Sequence, residues 1–253
     1  MNYYELLIDL HKRNDRQGPG SDALTKVAIQ LSGLKDIQSN KKLQIADIGC
    51  GTGASTLILA EELKAQITAV DLFPDFLKIL QEKAAEKNLE DNITTLTCSM
   101  ATLPFATHSL DAIWSEGAIY NMGFAEGVSY FKQFLKDDGI LAVSEISWLT
   151  SKRPDELTSY WNKEYPQIAR PSEKIKIMED EGFTLMGYFP LPKICWTENY
   201  YALLQEKFKN FLSQHSSNDA QSIVDAEIKE IDLYRKYHKY YSYGFYIAQF
   251  KNC

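Results

Sequence analysis

Cysteine is scarce and scattered. The four thiols, Cys50, Cys98, Cys195 and Cys253, contain no C-x-x-C pair, so neither a zinc pattern nor a disulfide framework follows, and no metal site is expected. No apolar run approaches membrane-spanning length. The opening Met1-Asn2-Tyr3-Tyr4-Glu5 lacks a basic region followed by an apolar one. The sequence therefore predicts a cytoplasmic protein with reduced thiols and no membrane partner. Positive charge is also in deficit, 27 Lys and Arg against 34 Asp and Glu, a net charge of −7. A field of that sign repels polyanions, so no nucleic acid is expected as a partner, and a small or cationic substrate fits better. Internal repeats and low-complexity tracts are absent, and 253 residues suffice for one substantial core with a modest addition. Oligomeric state stays open.

What is present is a strand, a tight turn and a helix. Ile45-Ala46-Asp47-Ile48 runs into Gly49-Cys50-Gly51-Thr52-Gly53, and a helical pattern follows from Ala54 to Leu63. Glycine lacks a Cβ, so the turn can take φ > 0 and a ligand can approach the backbone closely. The helix adds unpaired N–H groups and its positive dipole end. A second apolar run, Ile67-Thr68-Ala69-Val70, ends in Asp71, where a carboxylate at a strand's C-terminal edge can accept bonds from ribose hydroxyls. A nicotinamide site calls for G-x-G-x-x-G around a pyrophosphate. The spacing G-x-G-x-G, with Ala54 next, suits a cofactor that has none.

Periodicity predicts strands at Leu43 to Ile48, Gln66 to Asp71, Ile93 to Cys98, Leu110 to Ser115, Ile140 to Ile146, Phe183 to Phe189 and Tyr243 to Phe250. Helices are expected at Ala54 to Leu63, Pro74 to Lys87 and Gly127 to Leu135. Such alternation implies parallel strands joined by right-handed crossovers. Between the last two strands, Tyr200, Leu204, Phe208, Phe211 and then Val224, Ile228, Ile231, Tyr234 mark two amphipathic helices, the second capped at Asn218-Asp219. They are read as a substrate cap at about 193–240, within a main domain of 41–253. Residues 1–40, with Gly18-Pro19-Gly20 ahead of a helix from Asp22, are read as a hinged helical cover.

The run Asp47 to Gly53, the acidic Asp71 and the segment Leu103 to Asp111 (LPFATHSLD) resemble the landmarks of class I S-adenosylmethionine-dependent methyltransferases. The likeness is greatest to their small-molecule branch, methyltransferase type 11, which includes the ubiquinone/menaquinone-biosynthesis type. It spans about Leu43 to Ile146. It implies an α/β fold: a Rossmann-like, seven-stranded, mostly parallel sheet with an antiparallel last strand and helices on both faces. It implies S-adenosyl-L-methionine as cofactor and methyl transfer to a small-molecule acceptor by in-line displacement, the protein positioning and desolvating. A non-catalytic S-adenosylmethionine-binding module is the alternative. A nucleic-acid methyltransferase ranks lower, because no N-P-P-Tyr, D-P-P-Tyr or Pro-Cys follows strand four.

On this resemblance the cofactor-binding candidates are Asp47, Gly49, Cys50, Gly51, Gly53, Asp71, Leu72, Ser99, Met100 and Ser115. Asp71 would take the ribose diol, and Asp47 would either bind or brace the turn. Leu72 and Met100 would flank the adenine, and Ser99 stands where such proteins commonly carry an aspartate. Cys50 is read as a small residue beside the ligand, and Phe73, which cannot cap the helix at Pro74, as packing. Glu116 and Tyr120 are the acceptor-side catalytic candidates, with Glu145, Ser147 and Trp148 on the same rim and His108 exposed. Tyr234, Tyr237, Tyr240, Tyr241, Tyr243 and Tyr246, with Trp148, Trp161 and Trp196, are read as packing of the cap; the alternative is an aromatic box for an amine.

Overall fold

The computed structural model describes residues 1–37 and 42–251; the expected boundary at 40/41 and Cys253 lie outside the described residues. The sheet is made of β1 (Leu43–Ile48), β2 (Ala65–Asp71), β3 (Ile93–Thr97), β4 (Leu110–Glu116), β5 (Leu135–Trp148), β6 (Phe183–Pro190) and β7 (Tyr241–Phe250). Their order is β3-β2-β1-β4-β5-β7-β6. β7 runs antiparallel to both neighbours and the remaining pairs are parallel. The chain reverses its winding between β1 and β4, so their C-terminal ends open the crevice in which such sheets hold ligands.

Eleven α-helices surround the sheet among the described residues: α1 (Tyr3–His11), α2 (Asp22–Leu31), α3 (Leu34–Ile37), α4 (Ala54–Glu62), α5 (Pro74–Glu86), α6 (Phe124–Lys132), α7 (Asp155–Glu164), α8 (Pro171–Asp180), α9 (Lys193–Trp196), α10 (Leu203–Gln214) and α11 (Asn218–Tyr237), with a π-helical turn at Thr197–Ala202 between α9 and α10. Period-two alternation feeds both faces of the sheet. Ile45, Ile67 and Trp114 join Leu6, Leu10 and Ile29 of the N-terminal helices and the cap residues Trp196, Leu204 and Tyr234 in one core. Ile48, Val70, Ile113 and Val143 join Phe124 and Phe131 in the other.

Several boundaries differ from the sequence reading. The helix after β4 starts at Phe124 because Gly123, at φ 91, turns the chain into it, and Leu135 belongs to β5, where it pairs with Leu110. β5 runs on to Trp148 because β7 pairs with it as far as Tyr241. α1, α7 and α8 were not anticipated. Ser217, not Asn218-Asp219, caps α11 by accepting from the Ala220 N–H, and Ile228 faces outward at 40% exposure. Ser21 caps α2 as the helix start at Asp22 requires.

Candidate active site

The C-terminal ends of β1, β2 and β4 surround a cavity of about 430 Å³. Gly49, Gly51 and Gly53 all have positive φ, at 73°, 56° and 87°, so the turn takes the conformation that its three glycines permit. All three are also needed for space. A Cβ on Gly49 would strike the Ala118 Cβ, and one on Gly51 would strike the Gln17 side-chain oxygen.

The turn is braced from two sides. Asp71, at the end of β2, accepts from the Gly51 N–H at 2.9 Å through Oδ2 and from the Phe73 N–H at 2.9 Å through Oδ1. Burial pushes its carboxyl up, against the pull of those backbone donors. Gln17 accepts from the Thr52 N–H at 2.9 Å and donates to the Thr52 hydroxyl at 3.1 Å. That hydroxyl in turn donates to the carbonyls of Asn14 and Asp15. The 12–21 segment is thereby stitched over the glycine turn, and Arg16, Gln17, Gly18 and Pro19 form one wall of the cavity.

Of the sequence candidates, Gly49, Cys50, Gly51, Asp71, Leu72, Ser99, Met100, Glu116 and Tyr120 line the cavity. Leu72 stands at its rim with 58% exposure. The Ser99 hydroxyl accepts from the Ala101 N–H at 3.2 Å. The Cys50 thiol is pushed well up by burial and then by the charges of Asp47 and Asp71, which leaves no thiolate to act as a nucleophile.

Asp47, Gly53 and Ser115 are not among the lining residues. Asp47 is fully buried and accepts from the Ser55 hydroxyl at 2.8 Å and the Thr56 hydroxyl at 2.6 Å, bracing the first turn of α4 from within. Burial outweighs those bonds and lifts its pKa to about 7. Gly53 is kept small by Leu80 of α5, and the Ser115 hydroxyl donates to the Ile48 carbonyl at 2.8 Å, tying β4 to β1. The expected open N–H groups of the turn are also taken, as described for Gly51 and Thr52. Those of Ala54 and Ser55, at the start of α4, have no hydrogen-bond partner among the described residues, and both residues line the cavity. Phe73 is a wall residue rather than filler, edge-on to Phe76 with centroids 5.7 Å apart.

Glu116 is held from three directions. Arg16 Nη1 donates to it at 2.8 Å, the Thr25 hydroxyl at 2.7 Å and Trp114 Nε1 at 2.9 Å. Its side chain and that of Arg16 are 11% and 10% exposed. The contact fastens the N-terminal segment to β4. Glu145 is not on the rim. It is buried beside Lys174 at 3.3 Å, with the ammonium over the Phe124 ring at 4.4 Å; burial and then the Lys174 charge act on it in opposite senses, and burial prevails to raise its carboxyl. Ser147 is bonded to the Tyr246 hydroxyl at 2.6 Å. The tyrosine-rich C-terminus is packed within itself, where Trp196 stacks on Tyr234 at 4.4 Å and 14° and meets Tyr241 and Tyr243 edge-on, and no residue of 193–240 is among those lining the cavity. His108 is exposed in its turn. Sequence reasoning did not name Tyr4, Gln17, Phe76 and Met122 as wall residues; Gln17, beside the Gly-Pro-Gly turn, and Met122, two residues after Tyr120, sat near features already singled out.

This sheet order, with an antiparallel β7 and a glycine-turn cavity flanked by an acid on β2, is a Rossmann-like architecture shared with solved methyltransferase structures. Residues 45–139 match the family described as a methyltransferase domain. Among curated proteins, the chain is 29% identical over 168 residues to erythromycin 3''-O-methyltransferase of Saccharopolyspora erythraea, covering 60% of this chain and 53% of that one. It is 30% identical over 154 residues to the ubiquinone/menaquinone biosynthesis C-methyltransferase UbiE of Agrobacterium fabrum, covering 59% and 58%. The chain thus spans about half the length of the curated relatives it matches. Among solved structures, YjhP from E. coli shares the fold at a TM-score of 0.81 and 17% identity, over 98% of this chain and 100% of that one. No helix among the described residues is long and apolar enough to cross a membrane.

Proposed function

We propose that the protein transfers a methyl group from S-adenosyl-L-methionine to a small-molecule acceptor. The observation that carries this reading is one continuous cavity joining the glycine turn and Asp71 at one end to Tyr120, Asn121 and Met122 at the other. The first end fits the cofactor's parts. The free N–H groups of Ala54 and Ser55 suit its carboxylate. Asp71 has lone pairs left beyond its two backbone donors and suits the ribose diol. Leu72, Phe73, Ser99 and Met100 suit the adenine. When bound, the cofactor supplies a methyl carbon already activated by its sulfonium charge. The protein's part is then to hold the acceptor in line and exclude water. The cover of residues 12–21 serves the second need, with Gln17 and Arg16 fastening it over the turn and against Glu116.

The relatives' names include O- and C-methyltransferases, so the acceptor atom is left to experiment. The net charge of −7 favours a small or cationic acceptor over a polyanion. Isothermal titration with S-adenosylhomocysteine tests the cofactor end. Saturable binding is expected, with loss of affinity in Asp71→Asn. Absence of binding by the intact protein would overturn the reading.

A further inference from the structure

Along the sheet order β3-β2-β1-β4 the cavity crosses the C-terminal ends of all four strands. The proposed cofactor lies along it in one sense. With its amino-acid end at the open N–H groups of Ala54 and Ser55, after β1, and its ribose at Asp71, on β2, its base reaches the next strand, β3. There the wall is Cys98, Ser99, Met100 and Ala101, with Leu72 at the rim. The Cys98 N–H donates to the Asp71 carbonyl at 3.1 Å, which sets this wall directly beside the residue assigned to the ribose. The turn then folds back on Ser99, whose hydroxyl accepts from the Ala101 N–H at 3.2 Å and whose carbonyl accepts from the Thr102 N–H at 3.0 Å. That hydroxyl keeps its own proton and one lone pair. No charged side chain is among the described residues lining this end. The two acids that line the cavity are Asp71, given to the ribose, and Glu116, on β4 at the opposite side. This end is also open, with Leu72 58% exposed and Ala101 and Thr102 exposed beyond it.

We propose that the cofactor site is tolerant at C6 of the purine: it admits sulfonium nucleosides that carry hydrogen or an alkylamine there as well as the amine of adenine, and Ser99 is the residue that meets this position. The inference rests on the methyl-transfer reading of the cavity and deepens it on the cofactor side. Strong selection for an exocyclic amine needs an acceptor that is charged or fully enclosed, so that the analogue lacking the amine leaves it unpaired. A carboxylate acceptor makes the amine worth about tenfold to 150-fold in affinity, whereas a neutral hydroxyl makes it worth about twofold to tenfold. The open rim lowers even that, because water can stand in for the missing partner. The base is held instead by features common to purines. Its faces meet Leu72, Phe73 and Met100. Its ring nitrogens can accept from the N–H groups of Ser99 and Met100, which have no partner among the described residues. An alkyl group on the amine leaves past the exposed Ala101.

The test is calorimetry on the whole chain with S-adenosylhomocysteine, its 6-deamino analogue, which has hydrogen at C6, and its N6-benzyl analogue. All three should bind the wild-type chain with affinities within about tenfold of one another. Ser99→Ala should bring the adenine and deamino forms to within about twofold. Ser99→Asp supplies a carboxylate that can still accept from the Ala101 N–H, so the adenine form should then be preferred by about tenfold or more. A thermal melt shows whether each variant is folded, and the wild-type comparison decides the matter even where a variant fails to fold. A wild-type preference for the adenine form above about tenfold, exclusion of the benzyl form, or a folded Ser99→Asp with no gain in preference overturns the proposal. Failure of S-adenosylhomocysteine itself to bind the wild-type chain would instead sink the cofactor reading beneath it, so the two failures are told apart.

Discussion

Removing the charge of Asp71 separates its two tasks. Each carboxylate oxygen accepts one backbone N–H at 2.9 Å, from Gly51 and from Phe73. Asp71→Ala would leave both donors buried without partners, at about 1–3 kcal/mol each. For a chain of this size that lowers the melting point by roughly 4–20 °C, and a loss of binding could then be ascribed to a loosened turn. Asp71→Asn is the milder perturbation because it keeps the shape and one acceptor oxygen while the charge goes, leaving one backbone N–H unpaired instead of two. Charged hydrogen bonds to ribose hydroxyls contribute about 1.5–3 kcal/mol, so S-adenosylhomocysteine should bind roughly 10- to 150-fold more weakly. The assay is isothermal titration paired with a thermal melt. An affinity within about twofold of wild type, in a variant whose melting point holds, would refute the assignment of Asp71 to the cofactor.

Three further outcomes follow from the same geometry. Glu116→Gln breaks the ion pair with Arg16 and keeps the acceptor oxygen for Thr25 and Trp114, so cofactor KM should rise more than kcat falls; a kcat loss with KM unchanged would return Glu116 to the chemistry. Arg16→Ala leaves the Glu116 carboxylate without its cation, a change that costs about 3–5 kcal/mol when such a pair is buried, and limited proteolysis should then cut within residues 12–21 much faster than in wild type. Asp47 has a folded pKa near 7, above its ordinary value of 3.8. The native state therefore holds an extra proton between those values, and stability should decline as pH rises from 5 to 8. Glu230, also near 7, and the raised carboxyls of Asp71 and Glu145 contribute in the same sense, so urea denaturation of Asp47→Asn should show a shallower pH slope than wild type; an unchanged slope would contradict the burial of an ionisable Asp47.

The parallel half of the sheet was legible because its signals are local. Apolar runs of strand length ended in glycines or an aspartate, and the glycine turn could only be a turn. The segment that forms the cavity's other wall was legible as a cover from its Gly-Pro-Gly turn, but its anchors were not, since Gln17 reaches Thr52 and Arg16 reaches Glu116 across long stretches of sequence. Asp47 takes the bracing role, one of the two open to it, and Ser115 ties two strands together. Both stand at strand ends where ligands gather, but each satisfies its polar atoms inside the sheet-to-helix packing, Asp47 on Ser55 and Thr56, Ser115 on the Ile48 carbonyl. The helices α7 and α8 escaped notice because polar residues dilute their apolar stripes; α7 buries only Leu157 and Trp161, and α8 only Lys174 and Met178.

The most direct test of the methyltransferase account is turnover with S-adenosylmethionine carrying a trideuterated methyl group, incubated with the chain and a small-molecule metabolite extract. The account predicts time-dependent release of S-adenosylhomocysteine matched by one or more small molecules that gain the trideuteromethyl group, both abolished by Asp71→Asn at limiting cofactor. Tight S-adenosylhomocysteine binding without any release of product above the enzyme-free blank would contradict it and identify the cavity as a binding module.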